Sequence, residues 1–99
     1  MAYQIEFAKL VKAHLEVLTA SQRSTVLDAI ERQLTHEPSK QTRNRKPLKP
    51  NPVAPWELRA GRLRVFYEVS DGPPALVRIL AVGVKVRETL RIGDQEIRL

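Results

Sequence analysis

The sequence predicts an α+β fold, and three features lead there. Apolar residues recur at helical spacing only in the first third of the chain. Beyond residue 55 they change to the alternation and apolar runs of β-strands. The tract between them is rich in proline and suits neither helix nor central strand. Segregated helices and strands point to α+β. With 99 residues, 42% of them apolar, one domain over residues 1–99 with a single core is expected.

The elements follow in order. "YQIEF" (Tyr3 to Phe7) alternates Tyr3, Ile5 and Phe7 with Gln4 and Glu6, as a half-buried strand does. From Ala8 the period becomes helical: Phe7, Leu10, Val11, Leu15 and Leu18 share a stripe, and the helix is expected to stop near Leu18. In "TASQ", Thr19 suits an N-cap and Gln22 the reciprocal capping-box position, with Ser21 as the alternative cap. Val26, Leu27, Ile30 and Leu34 form the second stripe, and Pro38 is expected to end that helix. So short a connection predicts an antiparallel helical hairpin.

The tract from Pro38 to Pro55 holds five prolines, five basic residues and no acid, and reads as an extended loop. In "WELRA", Trp56, Leu58 and Ala60 alternate with Glu57 and Arg59, and Gly61 permits a tight turn. The next strand places Leu63, Val65, Tyr67 and Val69 on one face and Arg62, Arg64, Phe66 and Glu68 on the other. "SDGPP" is a turn signal, and the apolar "ALVRILAV" marks a central strand covered on both sides. Gly93-Asp94, between Leu90/Ile92 and Ile97/Leu99, suggests a small hairpin or a strand with an irregular tail. The expected architecture is a mainly antiparallel four-stranded sheet. The helical hairpin covers the Leu63 face, and the Arg64 face looks outward.

The formal charge of +6 is unevenly placed. Residues 1–37 hold four basic and five acidic residues, while residues 38–99 hold thirteen basic and six acidic. That asymmetry suggests an anionic partner, nucleic acid foremost, against the plainer reading of a solubilising surface. No cysteine is present, which excludes disulfides and thiolate metal sites and fits a reducing, cytoplasmic setting. The N-terminal segment lacks the uninterrupted apolar run of a signal peptide, and no stretch approaches the roughly 20 apolar residues of a membrane span. His14 and His36 have no partners at ligand spacing, there is no Gly-rich phosphate loop, and the acids are scattered. No metal or cofactor is expected.

The remaining chemistry is cationic. Arg59, Arg62 and Arg64 flank one turn, and "VGVKVRETLR" adds Lys85, Arg87 and Arg91 just after the central strand. Arginine grips phosphate in a two-pronged way. Phe66, on the same face, is a candidate platform for a base. Arg43, Arg45, Lys46 and Lys49 of the proline tract are further nucleic-acid candidates, against a merely solvated connection. The competing reading pairs these arginines with Glu57, Glu68 and Glu88 as surface ion pairs, each worth about 0–1 kcal/mol.

The order β-α-α-β-β-β resembles the RelE/ParE superfamily, the toxins of type II toxin–antitoxin modules. So do an "F..L....L" first helix, "NRKPLKPNP" before "WELRAGRLRVFYEV", and "VRILAVGVKVRE". The likeness spans essentially the whole chain. It implies a metal-independent, ribosome-dependent endoribonuclease that cuts mRNA in the A site and inhibits translation, held by a cognate antitoxin in a hetero-oligomer. By the same resemblance Arg64 matches the arginine of a "G-x-R-x-x-Y"-like strand, Arg59 the basic residue ending the preceding strand, and Lys85 and Arg87 the basic cluster after "VG". These four become the catalytic candidates. The resemblance has a gap: many such nucleases carry a tyrosine near the C-terminus, and "ETLRIGDQEIRL" has no aromatic residue and no histidine. A gyrase-directed toxin of the ParE kind, or a catalytically inactive relative that acts by protein binding, is the alternative.

Overall fold

The computed structural model describes residues 2–97. Its elements are β1 (Gln4–Phe7), α1 (Val11–Glu16), α2 (Ala20–Leu34), β2 (Arg45–Pro47), β3 (Trp56–Ala60), β4 (Leu63–Ser70), β5 (Leu76–Val86), β6 (Thr89–Ile92) and β7 (Gln95–Ile97). The class is α+β, with two helices on a mostly antiparallel sheet. The sheet has seven strands, which corrects the expected four. β2 comes from the proline tract. It is a three-residue edge strand, where a proline costs little. The last two strands form a hairpin about Gly93 (φ +62) and Asp94. Leu99, expected in that hairpin, lies outside the described residues.

The strand order is β2-β3-β4-β5-β6-β7, and β1 runs parallel to β5. β1 takes residues 76–79 of β5 and β6 takes residues 83–86 along the same edge. The gap between them is closed by a side chain: the Val82 N–H donates to His14 Nδ1 of α1 at 3.3 Å.

The helices differ in how far the sequence foretold them. The α2 N-terminus is as expected, with Thr19 and Gln22 in a reciprocal capping box. α1 begins later than expected, because the Ala8 N–H still bonds the Ile79 carbonyl (2.8 Å) and prolongs the β1–β5 ladder. Its end is held by Arg23, whose guanidinium donates to the Leu15 and Leu18 carbonyls. α2 stops at Leu34, before Pro38. The Thr35 carbonyl turns instead to the Tyr3 N–H (2.6 Å). Pro38 is buried, and its carbonyl accepts the Tyr67 hydroxyl at 2.7 Å.

α1 lies on β5, and α2 on β3 and β4. Beneath them Val11, Val26, Ile30 and Leu34 meet Leu58, Val65, Tyr67, Ile79 and Val82, all buried. Each such side chain contributes about 1.5–3 kcal/mol by leaving water.

The opposite face was expected to look outward, and half of it does not. Phe66, Ala81, Leu90, Ile92 and Ala54 form a second buried cluster, joined by Leu48, Val53, Leu80 and Ile97. The physical reason is twofold. A bulge leaves Leu80 unpaired, since Phe66 faces Ala81 and Tyr67 faces Ile79. Gly83 then admits β6 closely; a Cβ there would meet the Arg91 carbonyl oxygen at 2.5 Å. The proline tract closes over the other side. Asn51 pins it by donating to the Lys49 and Ala54 carbonyls and accepting from the Val53 and Ala54 N–H groups. No helix among the described residues is long and apolar enough to cross a membrane.

Candidate nucleic-acid interface

The β3–β4 hairpin builds the centre of the cationic face. Ala60 pairs with Leu63, leaving a two-residue turn with Gly61 at φ +61, the positive-φ first position of a type II′ turn. One step inward, Arg59 and Arg64 are directly opposite. Directly opposed residues have Cα atoms roughly 5 Å apart, and like charges there repel. Arg64 faces Gly83 on β5, and Lys85 lies two residues further along β5 on the same side. The Lys85 N–H donates to the Arg62 carbonyl at 2.7 Å, so the exposed Arg62 flanks the exposed Lys85. The backbone thus sets Arg59, Arg64, Lys85 and Arg62 at one end of one face. At the other end of that face the charge is mixed: Arg78 pairs with Glu6 at 3.7 Å and stands opposite Glu68.

Glu57 relieves the repulsion. It is the buried charged residue of the described chain, 7% exposed, and its Oε1 accepts from Arg59 Nε at 2.7 Å. Alternation along "WELRA" puts it on the arginine side, a signal that sequence reasoning registered only as an ordinary surface partner. Arg64 is held differently, donating to the Gly61 and Leu63 carbonyls at 2.6 and 2.9 Å. Burial pulls its guanidinium below the ordinary arginine value; Glu57 opposes that shift and Arg59 adds to it. Among the described residues neither Arg64 nor Lys85 has a carboxylate within ion-pair distance. Of the four catalytic candidates, Arg64 and Lys85 therefore have charge free for an anion on this face, Arg59 is shared with Glu57, and Arg87, which also makes no ion pair among the described residues, lies elsewhere.

Other candidates fall elsewhere. Arg87 occupies the β5–β6 turn at φ +58 and lines a shallow depression with Arg91 and Glu96. Arg91 pairs with Glu96 at 3.1 Å and stands opposite Val84, on the helix side of the sheet. It therefore does not join the Arg64 face. Phe66 is fully buried in the second cluster, which corrects its expected role as a stacking platform: neither ring face is open to a base. Arg45 is likewise corrected to a structural residue. It pairs opposite Leu58 on the helix side and donates to the Gln33 carbonyl, Gln33 Oε1 and the Lys40 carbonyl. Lys46 is half-buried and opposite Glu57 on the cationic face, while Arg43 and Lys49 are exposed on the loop. Among the described residues no three His, Cys, Asp or Glu side chains gather as a metal site.

This arrangement can hold phosphates by paired guanidinium and ammonium groups, and it presents no exposed aromatic surface for a base. No protein-family model matches the sequence, and no curated protein matches it. A chain in the crystal structure of the toxin–antitoxin complex RelBE2 from Mycobacterium tuberculosis does match in structure. It is 25% identical, with a TM-score of 0.73, over 86% of this chain and 100% of that one. The fold is RelE-like.

Proposed function

We propose, from this RelE-like fold and its cationic face, that the chain is the toxin of a type II toxin–antitoxin pair and cleaves mRNA on the ribosome. The observation that carries the reading is the Arg59–Arg64 pair, set opposite each other beside Lys85 with only one carboxylate between them. A sheet accepts such repulsion where a polyanion relieves it.

The chemistry follows from the residue types. The 2′-hydroxyl passes its proton to a solvent water as it attacks the adjacent phosphate, a P–O bond forms, and the bond to the 5′-oxygen breaks. Arg64, anchored by two carbonyls, stabilises the charge that develops on the pentacoordinate phosphorane. Lys85 donates the proton that the departing 5′-oxygen takes up. Arginine is the poorer donor at neutral pH, so Lys85 is preferred over Arg87. Arg59 clamps the phosphate at the edge, oriented by Glu57. Arg62, Lys46, Arg43 and Lys49 guide the flanking backbone. Inducing the gene and mapping 5′ ends of cellular RNA tests this. New ends inside reading frames support it, and their absence while growth still stops refutes it.

A second reading is favoured by one observation: Phe66 is buried, and residues 88–97 carry no aromatic side chain. A protein-directed toxin acting on gyrase needs neither. Inhibition of supercoiling by the purified chain, without RNA cutting, selects that reading.

A further inference from the structure

α1 carries two apolar stripes. Val11, Leu15 and Leu18 belong to the core. Leu10, Ala13, His14 and Val17 form the second stripe, at i, i+3, i+4 and i+7, and all four border one hollow facing the β6–β7 turn. Leu10 and Val17 cap the helix, yet both have helical backbone angles, so the stripe is continuous. It is turned to water: Leu10 is 69% and Val17 58% exposed. Past Val17 lies a second hollow of about 470 Å³, lined by Val82, Val84 and the exposed Val86 of β5. Its rim has mixed charge. Arg91 is paired with Glu96 at 3.1 Å, and Asp94 makes no ion pair among the described residues.

We infer that this stripe is the contact between two copies of the chain, related by a two-fold axis near Ala13, with Leu10 of each copy seated in the valine-lined hollow of the other. A two-fold contact must be complementary to itself. This one offers a projecting leucine and a hollow on the same face. Leu10 and Val17 are roughly 10 Å apart along the helix, so in an antiparallel pair Leu10 stands opposite the other copy's Val17, beside its hollow. Ala13 lies midway, and its small side chain lets the helices approach closely. The rim selects the same occupant. A rim of one sign would favour a partner of the other sign, whereas Asp94 and Arg91 on one rim can be set against Arg91 and Asp94 of a second copy. Other faces of this +6 chain repel a like copy: the sheet presents Arg59, Arg62, Arg64 and Lys85, and the far side of α1 presents Lys9 and Lys12. The contact lies on the helix side, so both Arg59–Arg64 faces stay open in the pair.

The test uses the full chain without RNA, so its outcome is independent of the nuclease reading. Sedimentation velocity is expected to show monomer giving way to dimer between about 1 and about 100 μM. Leu10→Glu and Val17→Glu each weaken the dimer about tenfold or more. Asp94→Lys, which leaves the rim cationic, weakens it severalfold. Leu27→Glu, an exposed apolar position on the far side of α1, leaves it unchanged. All four positions are exposed, so the fold is kept, which a thermal melt verifies. The chain has no cysteine, so a single introduced thiol reports on proximity without interference. Under mild oxidation Ala13→Cys is expected to give a covalent dimer, since a disulfide requires Cα atoms within about 7 Å, and Ser24→Cys on exposed α2 is expected to give none. A wild type that stays monomeric at about 100 μM overturns the proposal. So does a dimer indifferent to Leu10→Glu, Val17→Glu and Asp94→Lys, a dimer lost in Leu27→Glu, or crosslinking of Ala13→Cys no greater than that of Ser24→Cys.

Discussion

Arg59 and Arg64 face each other across β3 and β4, and the carboxylate that makes this tolerable is Glu57, two residues back on the same strand. Glu57→Gln tests its role as a positioning residue. The shape is kept, but the charge that orients Arg59 is gone. RNA binding is expected to persist or strengthen, because the face becomes more positive. Cutting is expected to slow, on the order of 10²-fold, because a guanidinium out of place no longer meets the phosphate. Single-turnover kinetics separate the two: KM unchanged or lower with kcat reduced is the predicted signature. At this scale the sequence was partly legible. Alternation along "WELRA" and "RLRVFYEV" put Arg59 and Arg64 on one side, because strand geometry leaves little choice. Phe66 shares that parity, yet it is buried by Leu48, Ala54 and Ile92, which come from distant parts of the chain. Period-two alternation gives a residue's face; it does not say what covers that face.

α2 shows how far an element can be read from local chemistry. Thr19 and Gln22 satisfy each other's backbone donors, a contact made within four residues and therefore visible in the sequence. Thr19→Ala is expected to cost about 1 kcal/mol. In a domain of this size that lowers the melting midpoint by about 4–8 °C. Differential scanning calorimetry reads the change directly, and an unchanged midpoint would mean that the cap contributes nothing. The end of α2 was less legible, since Leu34 is followed by a turn held through Tyr3, more than thirty residues away. The proline tract was misjudged for the same reason. Its β2 strand exists because Arg45, Lys46 and Pro47 pair with β3 and because Asn51 orders the loop beyond. Proline content alone argues against a strand.

Across the whole molecule, the helix layer and the sheet are joined where β5 lacks a strand neighbour, by the Val82 N–H to His14 Nδ1 hydrogen bond. That contact needs an unprotonated Nδ1. Burial pushes the His14 imidazole below its ordinary value of 6.5. The unfolded chain therefore takes up a proton that the folded one resists, so stability is full above about pH 6.5 and falls as the pH drops below it. Arg91 and Asp94 face the same hollow and set its local charge. The wild type is expected to lose more stability than His14→Gln between pH 7.5 and 5.5 in urea titrations; equal losses would contradict the assignment. None of this was visible in the sequence, because an edge shared by β1 and β6 has no local signature. The α+β class, by contrast, was legible from the separation of the two periodicities. On the opposite side of the sheet, Arg64 and Lys85 are proposed to act on a phosphate. The most direct measurement supplies purified ribosomes, with an mRNA codon in the A site, to the wild type, Arg64→Ala and Lys85→Met, and follows cut RNA by primer extension. A discrete cut by the wild type, slowed about 10²-fold or more in both variants, is the predicted result. No cut by the folded wild type, or cuts undiminished in either variant, would contradict it.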